Sequence, residues 1–417
     1  MPTVVLLGTL DTKCHETVFV RDQIRATGID TLLVDVGIAG PPGIEADISR
    51  DAVAEAAGTS IAELVARNDR GHAIEMMGRG AALVATRLFA EGRLDSILAL
   101  GGSGGSSIAS AAMRALPIGA PKLLVSTIAA GDVQAYVGQT DITMMYSVVD
   151  VAGLNTVSTR IFENAAAAAA GMAQKAALRT AASGSAAAFA KPTVAISMFG
   201  VTTPAATTAR QWLERRGYEV LVFHATGAGG RALEKLAADG ALAGVLDLTP
   251  TELADELVGG VLSAGPDRLE AAGLRGLPQV VSVGALDMVN FGPIDTVPER
   301  FRTRRLYVHN PQVTLMRTTS EECRELGRML GRKLAQARGP VAVFLPGQGV
   351  SLISEPGGVF HDPDADAALF NALKTALPAK AEIITQDCPL NDPAFATAMA
   401  GKLDQFIQQQ TDHDGQN

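Results

Sequence analysis

The chain has 417 residues, of which 47% are hydrophobic and 19% charged, with 35 basic and 44 acidic side chains giving a formal net charge of -9. So much apolar material argues against a disordered chain, and at ~100–200 residues per domain the length calls for two domains. An acidic balance with 4% aromatics argues against a nucleic-acid partner, since the one dense basic run is Arg300, Arg302, Arg304 and Arg305.

Short apolar runs alternate with helical patterns from the start. Residues 3–7 (TVVLL) predict a strand and 16–27 a helix. Residues 30–36 and 96–100 predict two more strands, 107–116 a helix, and 122–126 a fourth strand. The strands are near-continuous Val, Leu and Ile, the pattern of a parallel sheet with helices on both faces. The alanine-rich stretch 165–188 predicts a helix running into a short linker. Alternation then restarts, with strands at 192–197, 219–223, 244–248, 279–283 and 341–345 and a helix at 207–216. The expected fold is α/β, with two Rossmann-like doubly wound parallel-sheet domains at 1–185 and 190–410.

Other features narrow the setting. The opening MPTVVLLGTLDTK has no basic region or cleavage pattern, so it reads as a first strand rather than a signal peptide. The longest apolar run, 165–171, is too short for a bilayer, so no membrane partner is expected. Cys14, Cys323 and Cys388 lie far apart and form neither a disulfide framework nor a zinc pattern. A reducing cytoplasm fits these features.

The best-marked motif is LALGGSGGSSIAS, with Gly101, Gly102, Ser103, Gly104, Gly105, Ser106 and Ser107 between a strand and a helix. Glycines give positive φ and close approach, and the helix start offers free N–H groups to an anion. The spacing matches neither a P-loop nor a dinucleotide fingerprint. A second motif, GTLDTK, places Gly8, Thr9, Asp11, Thr12 and Lys13 after the first strand, where α/β sheets bind ligands. Asp11 could hold a ribose hydroxyl or a metal water, or cap the next helix. Asp35 ends the second strand and could also meet a ribose. Ser126 and Thr127 follow the fourth strand. Asn155 and its polar neighbours could line a cleft or satisfy a helix end.

In the second half, Thr226, Gly227, Gly229, Gly230 and Arg231 repeat the glycine theme beside His224, and an anion could bind there. Asp287 and Asn290 could face a cleft. Arg302, Arg304 and Arg305 could contact an anionic substrate or form a solvated face. No nucleophile elbow, zincin motif or other catalytic set emerges, so catalytic residues stay unassigned, and no metal site is read from the residues.

Taken together, GTLDTK, DVGIAGPP, ALGGSGGSS, STIAAGD, SMFGVTTPA, HATGAGGRAL, DLTPTELADEL and NDPAFA resemble one family, over residues 3 to about 405. It is the Tm-1-like ATP-binding family, an uncharacterised microbial group similar to the amino-terminal ATP-binding half of the tomato mosaic virus resistance protein. The resemblance implies two Rossmann-like domains, ATP as ligand with Mg²⁺ accompanying it, and a homodimer. It also implies that the motifs around Gly8 to Lys13 and Gly101 to Ser107 are the nucleotide loops, expected to face an interdomain cleft. The alternative is an enzyme (hydrolase, ligase or isomerase) acting on a small phosphorylated or carboxylated metabolite there, with His224 and Arg231 opposite the first-domain loops. A third reading is a non-catalytic sensor.

Overall fold

The computed structural model describes residues 1–183 and 191–414. The chain divides into two compact units, Met1–Ala188 and Phe189–Asn417. The linker expected from Gly184 onward lies outside the described residues.

The first unit runs β1 (Thr3–Gly8), α1 (Cys14–Ala26), β2 (Asp30–Asp35), α2 (Arg50–Ala56), α3 (Ile61–Arg67), α4 (Arg70–Ala90), β3 (Ser96–Gly101), α5 (Ser103–Ala115), β4 (Lys122–Ser126), α6 (Gln134–Val137), β5 (Thr143–Tyr146) and α7 (Thr156–Ser183). Its five strands are all parallel, in the order β2-β1-β3-β4-β5. The order reverses at β1, which leaves a crevice above the carboxyl ends of β1 and β3.

Strand alternation supplies a core on each face. Val5 and Leu7 of β1 pack with Met77, Ala81 and Val84 of α4 and Ile108 and Ala112 of α5. Val4 and Leu6 pack oppositely, with Val20 and Ile24 of α1 and Phe162, Ala165 and Ala169 of α7. Both faces are therefore dry, which is why these strands read as unbroken apolar runs.

The second unit runs β6 (Thr193–Met198), α8 (Thr203–Arg215), β7 (Glu219–His224), α9 (Ala228–Ala238), β8 (Gly244–Asp247), α10 (Glu252–Val258), α11 (Ala271–Arg275), β9 (Gln279–Ser282), β10 (Met288–Phe291), β11 (Leu306–Asn310), β12 (Val313–Arg317), α12 (Ser320–Ala335), β13 (Val341–Pro346), α13 (Pro363–Ala376), β14 (Glu382–Gln386) and α14 (Pro393–Asp414). Its parallel sheet has the order β14-β13-β9-β8-β6-β7, and β10, β12 and β11 form a small antiparallel sheet inserted between β9 and β13. The first five strands of this sheet, taken in chain order, repeat the arrangement of the first unit. Both units are Rossmann-like doubly wound domains.

Two details differ from the sequence reading. Helix α5 begins at Ser103, four residues earlier than predicted, so Gly104 and Gly105 belong to its first turn. None of Gly101, Gly102, Gly104 and Gly105 has positive φ, so the freedom expected of them is not what the turn uses. The strand ends at Gly101, and Gly102, extended, is the N-cap from which the helix starts at once.

Candidate functional site

Two carboxylates lock the loops after β1 and β2 together. The N–H groups of Leu10 (3.0 Å) and Gly37 (2.9 Å) donate to Asp35 Oδ1. Burial pushes the Asp35 carboxyl above its ordinary value, against the pull of those donors. Ile38 (2.9 Å), Ala39 (2.6 Å) and Gly40 (3.3 Å) donate their N–H groups to Asp11 Oδ2. Both acids hold the loops still, and Asp11, on the cavity lining, keeps its buried Oδ1 without a hydrogen-bond partner among the described residues. The Thr9 carbonyl accepts from the N–H groups of Thr12 and Lys13, and the Thr9 and Thr12 hydroxyls lie 2.9 Å apart. This tight turn delivers Lys13 to the start of α1. Lys13 has no side-chain ion pair or hydrogen bond among the described residues.

The β3–α5 junction is built differently. Ser106 and Ser126 are buried beneath the loop, with their Oγ atoms 2.6 Å apart. Ser107 Oγ donates to the Ser103 carbonyl (2.9 Å), and the Thr127 N–H reaches the Gly101 carbonyl (3.4 Å). These four residues buttress the loop from behind. A Cβ on Gly101 would lie 3.1 Å from Gly105 Cα, so packing demands glycine there. The other three are different. A Cβ on Gly102, Gly104 or Gly105 would meet nothing closer than 3.8, 3.4 and 3.7 Å respectively. Glycine in a helix costs about 0.5–1 kcal/mol relative to alanine, and the fold gives no packing reason for bearing it at Gly104 and Gly105.

Helices α3 and α4 form the facing wall, which sequence reasoning missed. A capping box, Ser60 with Glu63, starts α3, and Asn68 ends it in the left-handed conformation at φ 49°. Asp69 then caps α4 by accepting from the His72 N–H (3.1 Å), a bond that holds the Asp69 carboxyl below its ordinary value. The Ser-x-x-Glu pattern could have announced α3. Its position against the glycine loop depends on tertiary packing that no local pattern carries.

Between these walls lies a cavity of about 700 Å³. The structure brings Thr9, Asp11, Thr12 and Lys13 together there with Gly101, Gly102, Ser103, Gly104 and Gly105. Gly8, Ser106, Ser107, Ser126 and Thr127 are not on its lining. Three helix N-termini border the cavity, those of α1, α4 and α5, and so do Lys13 and Arg70. Leu64, Val65, Ile74 and Ile38 give it an apolar side. The arrangement pairs an anion-attracting end with an apolar surface. Among the described residues, no group of three or more His, Cys, Asp and Glu side chains is placed to hold a metal ion. No helix among them is long and apolar enough to cross a membrane.

In the second unit the residues that follow β6 and β8 bond to one another. Thr202 and Thr249, both fully buried, pair through their hydroxyls at 2.7 Å. Ser197 Oγ donates to Asp247 Oδ1 (2.7 Å) and accepts from the Thr249 N–H (2.8 Å). The glycine loop before α9 is already occupied by a carboxylate. Gly227 and Gly230 donate their N–H groups to Glu252 Oε1 at 2.7 and 3.0 Å. Arg268, fully buried, holds Glu252 Oε2 at 2.7 Å and grips Asp247 with both terminal nitrogens. The anion expected at this loop is therefore an internal one.

Most of the remaining candidates of the second half have internal partners. His224 is exposed, with its ring 5.4 Å from that of Phe199, and Arg231 donates to the Ser263 carbonyl (3.0 Å). Asp287 and Asn290 are buried rather than facing a cleft; Ser351 donates to Asp287, and Asn290 donates to Asp255. Arg302 reaches the carbonyls of Asp295 and Val297, Arg304 grips Glu322, and Arg305 reaches the His361 carbonyl. In the first unit, Asn155 caps α7 by accepting from Val157 and Ser158.

Comparison with known proteins matches residues 2–178 to the N-terminal domain, and residues 191–407 to the C-terminal domain, of an uncharacterised protein family, UPF0261. A UPF0261 protein of Clostridium tetani is 51% identical over 401 residues, covering 96% of this chain and 98% of that one. One from Mesorhizobium japonicum is 47% identical over 408 residues, covering 97% and 99%. The ToMV resistance protein Tm-1(GCR237) of Solanum lycopersicum is 38% identical over 434 residues, covering 98% of this chain and 56% of the tomato protein. The resemblance to the tomato protein thus extends over nearly the whole chain, which spans about half of that relative.

Proposed function

The chain belongs to the two-domain UPF0261 family, and from that premise we propose that its first unit binds a nucleotide, ATP, in the cavity above β1 and β3. The observation that carries the reading is the convergence of three helix N-termini and two cations unpaired among the described residues, Lys13 and Arg70, on one cavity with an apolar side. Phosphates take the N–H groups of the α1 and α5 starts and the charge of Lys13. The base lies against Leu64, Val65 and Ile74. Glycine at 102, 104 and 105 leaves the room that the phosphates fill. Mg²⁺ would accompany the triphosphate and supply charge neutralisation there, and Asp11, whose Oδ1 has no partner among the described residues, is the carboxylate on the lining that would face it or a bound water. The same reading takes the protein to be a cytoplasmic homodimer.

The test is calorimetry and thermal unfolding with Mg-ATP. Ligand that binds only the folded state raises stability by about 2.7 kcal/mol at a hundredfold excess over Kd. Saturating Mg-ATP raises the melting temperature of the wild type, and Lys13→Ala lowers the affinity. Absence of heat and of any shift at millimolar Mg-ATP would sink the reading.

A further inference from the structure

Resting on that reading, we infer that Arg70 is the residue by which this site selects nucleoside di- and triphosphates over monophosphates. Arg70 opens α4, is exposed, and has no ion pair or hydrogen bond among the described residues. Its neighbour Asp69 does not neutralise it. One Asp69 oxygen is taken by the His72 N–H, and the other lies 3.8 Å from Arg67. A cation in the first turn of a helix opposes the helix dipole, so Arg70 stands where local electrostatics disfavour it. A bound anion reverses the sign of that interaction.

The guanidinium is aimed at the glycine-bordered end of the cavity. A Cβ built on Gly104 would lie 3.5 Å from Arg70 Nη2, so an anion at the start of α5 is within reach of the fork. Lys13 enters the same cavity from the β1 loop. One phosphate is satisfied by the α5 N–H groups and a single cation. A second cation on a different wall gives a second and third phosphate their own partner. The planar fork of arginine engages two phosphate oxygens at once, which a lysine does not.

The experiment titrates ATP, ADP and AMP, each with Mg²⁺, into the wild type, Arg70→Ala, Arg70→Lys and Arg79→Ala. Arg79 is an exposed arginine further along α4, away from the cavity lining. The wild type prefers ATP and ADP to AMP. Arg70→Ala weakens ATP and ADP roughly ten- to a hundredfold, the scale of lost charge-assisted hydrogen bonds, and AMP less than about threefold. Arg70→Lys recovers part of the loss, and Arg79→Ala matches the wild type. Arg70 has no hydrogen bond or ion pair among the described residues, so circular dichroism and ligand-free melting of Arg70→Ala match the wild type. If the wild type binds ATP and Arg70→Ala keeps its ATP-to-AMP preference, the selectivity role is overturned while nucleotide binding stands. If the wild type binds none of the three, the nucleotide reading falls and this inference with it.

Discussion

Replacing Glu252 by Gln tests whether the second unit's glycine loop is an internal lock. Glu252 is fully buried, accepts from two glycine N–H groups, and faces the equally buried Arg268. Glutamine keeps the volume and one accepting oxygen but removes the charge and turns an N–H₂ toward a donor. Breaking one side of a buried ion pair costs about 3–5 kcal/mol. Arg268 retains both bonds to Asp247, which places the loss at the lower end, about 3 kcal/mol. The single tryptophan, Trp212 on α8, reports on this unit. In urea, with a slope of about 2–3 kcal/mol/M, the fluorescence midpoint should fall by roughly 1–1.5 M. A shift below about 0.3 M with an unchanged slope would refute the assignment, since a carboxylate that can be neutralised so cheaply is not holding the loop.

Two contrasts follow from the same geometry. A Cβ on Gly229 would lie 1.9 Å from the His224 carbonyl oxygen, so Gly229→Ala should cost about 1–3 kcal/mol in urea unfolding. Gly104→Ala meets only the ends of the Ile74 and Arg70 side chains, so it should leave stability unchanged or slightly raised while weakening ATP in calorimetry. The second unit should also lose stability as pH rises. Burial raises the Asp255 carboxyl to about 7 and that of Asp287 to about 6, from 3.8. Between those values the folded chain keeps protons that the unfolded chain has lost. This contribution is full below pH 3.8 and fades as pH rises through about 6 and 7. Asp255 alone contributes on the order of 4 kcal/mol in all, of which roughly 2.7 kcal/mol is lost between pH 5 and pH 8, and urea midpoints at those two pH values for the wild type and Asp255→Asn measure that part. Equal wild-type midpoints would contradict the sign.

The sheets were legible because both faces of each are buried, so β1, β3, β6 and β13 stand out as apolar runs. The inserted strands β10 to β12 did not, because Arg317, Thr314 and Asn290 place polar atoms in its interior, where partners such as Asp366 and Asp255 satisfy some of them. The two loops of the candidate site were legible as glycine, serine and threonine clusters after strands. Their division of labour was not. Ser106 and Ser107 look like ligand donors in sequence, yet their hydroxyls serve the loop itself. Asp11 and Asp35 look like ribose ligands, and what no local pattern shows is that each also binds backbone N–H groups whose proximity only the fold creates. Arg70 carried no local signal, because its meaning depends on Gly104, which packing places beside it.

Glu252 gives the two units different sensitivities to their surroundings. A loop closed by its own side chain meets its anion at a fixed effective concentration, set by the covalent chain. On the proposed reading, the first unit meets its anion only as often as the solution supplies it. Its stability then tracks nucleotide supply, while that of the second stays constant at a given pH. If the first unit binds a nucleotide as proposed, one chain carries a concentration-dependent domain and a second of the same strand order whose anion is its own.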